Sequence, residues 1–330
     1  MYMYQNKTFK SLLLSVFMAF IISSCAKENE GNCVTIRFVY TYNILSADAL
    51  KNQVDEITLY VFDNNGILVK QCTHDASSPI IRLTDLRNGY YHFVARAQSK
   101  HITSEQSYFS IPTLKTGVSS IDELTYWMKR DTFGIQRHEL NNFLVGMSDV
   151  RIRSSSYVTI ELKKVTNKIK VVLLPYTPDG TLDVADYEFS VVDKIGNGHI
   201  NYDYSLLPDE QITYLPYYAA NLEPENRGEI LPDEIDRATV VNISTSRLME
   251  ENAARLMISD KRDGGKVLVS MNLPWVISLM KNENNVKWNL QEYLNRQDSY
   301  TIMLFFNDNT WMNSQIIING WVVNAKEIDL

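Results

Sequence analysis

The sequence predicts an all-β protein, two β-sandwiches in series behind an N-terminal export segment, on three observations. From Val34 onward apolar residues recur with a period of two, the alternation of a strand with one buried face. Short β-rich runs are separated by turn-forming residues, while helix signatures are few and brief. The 330-residue chain is 45% hydrophobic and 22% charged, a globular composition. Its ~305 residues beyond the export segment suffice for two domains of ordinary size.

The chain opens with Lys7 and Lys10 ahead of an apolar stretch over residues 11–22, followed by Ser23-Ser24-Cys25. A helix needs roughly 20 apolar residues to cross a bilayer, and this stretch is shorter. Residues 1–24 are therefore predicted to be a cleavable signal peptide. Ile22-Ser23-Ser24-Cys25 resembles the bacterial lipobox, whose cysteine is acylated and becomes the mature N-terminus. Residues 25–32 then form a lipidated polar tether, in which Lys27-Glu28 and Glu30 resemble an acidic surface-export tag. Each buried methylene contributes roughly 0.8 kcal/mol, so several acyl chains on Cys25 hold a protein on outer-membrane lipid almost permanently. No second segment is apolar enough to span a membrane.

Residues 33–164 are expected to form the first sandwich. Val34, Ile36, Phe38 and Tyr40 share one strand face, and Ile57, Leu59 and Val61 another. Asn65-Gly66 lies between β-rich runs and is a strong hairpin cue. Residues 80–83, 90–98, 143–147 and 157–163 are further strands. Ser120-Ile121-Asp122-Glu123 has capping-box spacing and predicts a helix reaching Lys129. Residues 165–330 are expected to form the second sandwich, with strands over 165–174, 187–192, 212–219, 239–244, 266–271, 300–306 and 316–323. Asn289-Leu290-Gln291-Glu292 carries a second helix cap. Residues 247–257 read as a helix or as a hairpin turning at Glu251-Asn252.

The formal charge is −7 with the basic residues dispersed along the chain, which argues against a nucleic-acid partner. His-Glu-x-x-His, Gly-x-Ser-x-Gly and Gly-x-x-x-x-Gly-Lys-Ser/Thr do not occur. Gly264-Gly265-Lys266 and Gly196-Asn197-Gly198 read as turns. So does Asp63-Asn64-Asn65-Gly66, where Val61 stands in place of a first calcium ligand. His74, His92, His101, His138 and His199 lack metal-ligand spacing. No enzyme and no cofactor are expected. With Cys25 committed to lipid, Cys33 and Cys72 remain in a chain sent to an oxidising compartment. They are either a disulfide tying the first strand to the far arm of the Asn65-Gly66 hairpin, or two buried thiols.

The run from Cys33 through Val34-Thr35-Ile36-Arg37-Phe38-Val39-Tyr40 leads to Ala47-Asp48-Ala49, and then to Val54-Asp55-Glu56-Ile57-Thr58-Leu59-Tyr60-Val61-Phe62-Asp63. This resembles the opening of the FimB-like family, the anchor lipoproteins of Bacteroidales type V fimbriae. Tyr90-Tyr91-His92-Phe93-Val94-Ala95-Arg96-Ala97 resembles a later strand of that family, with Arg96 in place of its usual aromatic residue. Ile316-Ile317-Ile318-Asn319-Gly320-Trp321 resembles its C-terminal strand. The resemblance implies a pair of transthyretin-like β-sandwiches and a non-enzymatic role. It implies that the lipid fixes the base of a fimbrium to the outer membrane, exposed at the cell surface, and that the protein joins the first stalk subunit. It further implies that stalk subunits lose their lipid by cleavage after an arginine near the first strand. Here the nearest arginine is Arg37, inside that strand, so the chain fits the anchor better than the stalk.

The joint with the stalk is expected to involve the C-terminal strand. Ile316, Ile318 and Val322 face one side and Ile317, Trp321 and Val323 the other, both apolar. Such a segment suits insertion into a neighbour's groove and equally suits a central strand of its own sheet. A rival expectation is a surface adhesin or glycan-binding lipoprotein at a fimbrial tip. The 19 tyrosines and 5 tryptophans suit a binding platform, and suit sandwich cores as well.

Overall fold

The computed structural model describes residues 32–99, 108–175, 180, 182–222, 237–281, 287–307, 310–318 and 321–323, with side chains as far as Phe306. The described residues begin with β1 (Asn32–Val39), the one-turn helix α1 (Leu50–Gln53), β2 (Glu56–Asp63), β3 (Leu68–Asp75), β4 (Ile80–Leu86) and β5 (Gly89–Gln98). Next come β6 (Phe109–Ser110), β7 (Thr125–Met128), β8 (Ile135–Gln136), β9 (Phe143–Ile152), β10 (Ser156–Glu161) and β11 (Lys163–Lys164). Then follow β12 (Asn167–Pro175), β13 (Tyr187–Asp193), β14 (His199–Asn201), β15 (Ile212–Tyr214) and β16 (Tyr218–Leu222). After β17 (Ala238–Thr245), β18 (Arg255–Asp260) and β19 (Lys266–Asn272) come helices α2 (Leu273–Ser278) and α3 (Leu290–Arg296). The last strands are β20 (Ser299–Asn307), β21 (Thr310–Ile318) and β22 (Trp321–Val323). The fold is all-β.

β1 is the middle strand of a three-stranded sheet, parallel to β10 and antiparallel to β4. A five-stranded sheet ordered β11-β9-β5-β2-β3 faces it. Val34, Ile36 and Phe38 of β1 pack with Ile57, Leu59 and Val61 of β2 and with Phe93, Ala95 and Ala97 of β5. In β2 and in parts of β5 and β9 the intervening residues of the large sheet do not face solvent either. Tyr60, Phe62, Val94, Phe143 and Val145 belong to a second core on its other side. A strand buried on both faces has no polar side, which is why β2 is apolar almost throughout.

That second core is closed by a six-stranded sheet ordered β16-β17-β12-β20-β21-β22 and a five-stranded sheet ordered β19-β18-β13-β15-β8. Val171 and Ile302 from the first meet Phe189, Leu256 and Met271 from the second. Because Tyr60 and Phe143 share this cluster, the core runs without a break across residues 164 and 165. β8 pairs with β15, and β7 with β14, so residues 125–136 are stitched to the later half of the chain.

A polar cluster locks the same junction. The Lys164 ammonium, nearly buried, meets Asp298 at 2.6 Å and donates to Gln53 Oε1 at 3.0 Å. Burial pushes its pKa down, and the Asp298 charge opposes that shift. Asp298→Ala leaves this ammonium without its carboxylate and is expected to destabilise the fold by about 2 kcal/mol, discounted because Asp298 is partly exposed. Lys164→Met removes the buried charge itself and is expected to cost less. Denaturant titration of both variants checks the order.

Several sequence expectations are corrected. The capping box at Ser120 forms, but it closes only a 3-10 turn, Ile121–Glu123. The chain then enters β7 because Tyr126 and Met128 alternate inward around the exposed Trp127, a strand period. The expected strand over 212–219 is two strands, β15 and β16, in different sheets. Pro216 between them has no N–H for a ladder. Residues 247–257 are neither a helix nor a hairpin, since β17 and β18 lie in different sheets. The Asn65-Gly66 hairpin joins β2 to β3, with Gly66 at φ +73 and the Asp63 carboxylate accepting the backbone N–H of Asn65 and Ile67.

Candidate functional site

Cys25 lies outside the described residues, as do the signal peptide and most of the tether. The first described residue, Asn32, already belongs to β1. Arg37 is mid-strand, aligned with Thr159 of β10 on one side and Ile80 of β4 on the other. Its exposed side chain reaches Asp48 at 3.9 Å. The expected Cys33–Cys72 disulfide does not join the two residues in this structure, and both are half-buried. Cys33 is in β1 and Cys72 in β3, strands of different sheets. Cys72 packs against the core that Val34 and Ile36 enter. Burial pushes the Cys72 thiol up.

At the other end of the chain, Ile316 and Ile318 lie in β21, and Trp321 and Val322 in β22. β21 is paired on both sides: Ile318 aligns with Ile302 of β20 and with Trp321 of β22. β22 is the outermost strand of its sheet among the described residues. The expected division of these side chains between two faces lies outside what is described. Of the segment singled out from sequence, only Trp321–Val323 therefore presents a backbone edge.

A cleft of about 300 Å³ that sequence reasoning did not find is lined by Tyr108, Lys129, Arg130, Asp131, Arg137 and His138. Tyr108 and His138 stack with ring centroids 4.9 Å apart and planes 11° from parallel. Arg130 is clamped by Asp209 through two hydrogen bonds of 2.5 and 3.2 Å, and its guanidinium lies 5.3 Å from the Trp127 ring centre. Trp127 in turn rests on His199, with centroids 4.4 Å apart. At the cleft edge Phe133 is 85% exposed. Its turn is shaped by the Asp131 carboxylate, which accepts the backbone N–H of Phe133 and Ile135. Those bonds hold the Asp131 carboxyl below the usual carboxylate range. Exposed aromatic faces beside fixed cations stack on ring faces and hold anions. Asp131-Thr132-Phe133-Gly134, an Asx turn carrying an exposed aromatic, was the local signal available in the sequence.

No helix among the described residues is long and apolar enough to cross a membrane. The family described as fimbrillin-A associated anchor proteins Mfa1 and Mfa2 matches residues 27–326. No curated protein matches. Among solved structures, a candidate polysaccharide-binding protein from Bacteroides thetaiotaomicron is 29% identical. It superposes with a TM-score of 0.75 over 90% of this chain and 99% of that one. A candidate adhesin from the same species is 25% identical, with a TM-score of 0.76 over 91% of this chain and 100% of its own. The fimbrial anchor protein Mfa2 from Porphyromonas gingivalis shares the fold at 17% identity, with a TM-score of 0.63 over 89% and 99% of the two chains.

Proposed function

The chain belongs to the family of fimbrillin-A associated anchor proteins, and from that premise we propose that it holds the base of a fimbrium on the outer membrane. Acyl chains on Cys25 supply the grip, and the folded part joins the first stalk subunit. The family is one of fimbria-associated structural proteins rather than enzymes. The observation that carries the anchor reading is the place of β1. It follows the tether directly and is paired on both sides, with Arg37 in the middle. A protease needs an extended, accessible segment, and cleavage after Arg37 requires β10 and β4 to let go. The lipid and the strand therefore stay together, as an anchor needs and a processed stalk subunit does not.

The joint with the stalk is assigned to the C-terminal sheet edge, β22 with Trp321 and Val322, because an unpaired strand edge accepts or donates backbone bonds. Pull-down with the wild-type chain is expected to recover fimbrial stalk protein. A chain lacking residues 316–330, shown to be folded, is expected to lose it; undiminished recovery moves the joint elsewhere.

A second reading, a surface adhesin that binds glycan, is supported by the Tyr108–His138 cleft and by the polysaccharide-binding description of the Bacteroides thetaiotaomicron relative. In that case immobilised polysaccharide retains the protein, and Trp127→Ala with Phe133→Ala abolishes retention without unfolding it.

A further inference from the structure

The end of the first sandwich from which the tether leaves is basic. Asn32 is fixed there, its Nδ2 donating to Asn88 Oδ1 at 2.8 Å and to the Leu86 carbonyl at 3.4 Å. Arg87 lies between β4 and β5, Arg151 is aligned with Tyr90 near the end of β9, and Arg153 lies between β9 and β10. All three are exposed. Ser156 is in register with Val34, which puts the β9–β10 turn beside the start of β1. A cleft of about 530 Å³ opens here, lined by Asn64, Asn88, Gly89, Tyr90, Arg151 and Arg153, with no carboxylate among its lining residues. The nearby carboxylates lie outside that lining. Asp85 holds Lys70 at 2.5 Å, Asp149 holds His92 at 2.6 Å, and Asp63 serves its own turn.

Seven Cα steps separate Asn32 from Cys25. Fully extended, they reach about 25 Å, so this pole is the part of the described fold nearest to any lipid on Cys25. Its three arginines meet a surface of the opposite sign if that lipid sits among phosphate-bearing headgroups. We propose that the pole of Arg87, Arg151 and Arg153 rests on the phosphates of outer-leaflet lipids and orients the anchor on the membrane. The proposal rests on acylation of Cys25. It adds a lipid-binding surface that works without the acyl chains.

The two are separable by experiment. The mature chain with Cys25→Ser carries no acyl group, and its partition onto vesicles reports the arginines alone. Stronger binding is expected to phosphatidylcholine vesicles containing phosphatidylglycerol than to phosphatidylcholine alone, and it should weaken as salt is raised. Arg87→Gln, Arg151→Gln and Arg153→Gln together are expected to reduce that binding by roughly 100-fold, and the three Glu substitutions by more. An unchanged unfolding midpoint shows that the substitutions act at the surface. Equal binding to both vesicles, or binding indifferent to charge reversal, overturns the proposal. So does a triple variant that still binds vesicles but no longer captures fimbrial subunits, since the pole is then a protein interface. Labelled fatty acid in wild-type cells reports Cys25 separately, so failure of the anchor and failure of the basic pole give different results.

Discussion

Cys25→Ala is expected to leave a folded protein that no longer sediments with membranes, and to release assembled fimbriae into the medium. The effect should be close to complete. A single acyl chain binds a bilayer only marginally, whereas two or more hold it almost irreversibly, and the substitution removes all of them. The basic pole by itself gives salt-sensitive, reversible contact and does not compensate. Fractionation together with labelled fatty acid checks this. If label does not enter the wild-type chain, the lipid anchor has no basis.

Gly146→Ala is expected to cost about 4 kcal/mol, enough to unfold a marginally stable domain at physiological temperature. The cause is a strand crossing between sheets. β10 belongs to the sheet of β1, and two residues later β11 belongs to the sheet of β9. At the crossing, Glu161 and Leu162 press onto β9 over Gly146. A Cβ on Gly146 collides with the Glu161 carbonyl oxygen and stands 3.1 Å from the Leu162 Cα. Both are backbone atoms, so relief requires moving the crossing itself, and with it the closure of the first core. Thermal unfolding of the variant measures the cost; a loss below about 1 kcal/mol shows that the crossing yields.

Much of the strand content was legible because alternation is a local property. Tyr187–Asp193 follows the pleat as the sequence suggests. The both-faces burial of β2 was not legible, because the layer over Tyr60 and Phe62 is built from residues beyond 108, including Tyr126 and Val171. Nor was the central place of β1, whose parallel neighbour begins at Ser156, more than 100 residues later in the chain. Helix α2 did leave a mark, since Asn272 caps the Trp275 N–H and Pro274 sits in the first turn, but Trp-Val-Ile reads as strand. The candidate sites are less legible still. Arg130 meets Asp209, Trp127 meets His199, and Asn88 lines one cleft with Arg151 and Arg153, all over separations that no local pattern reports. Dispersed arginines in the sequence become one pole only after β1, β4, β9 and β10 assemble.

The most direct measurement is fractionation of cells from which the gene has been deleted, with fimbrial protein assayed on cells and in the medium. If the protein is the lipid-held base of the fimbrium, fimbriae move to the medium, wild-type chain returns them to the cell, and Cys25→Ala does not. Fimbriae that stay on the deleted cells at wild-type levels contradict it.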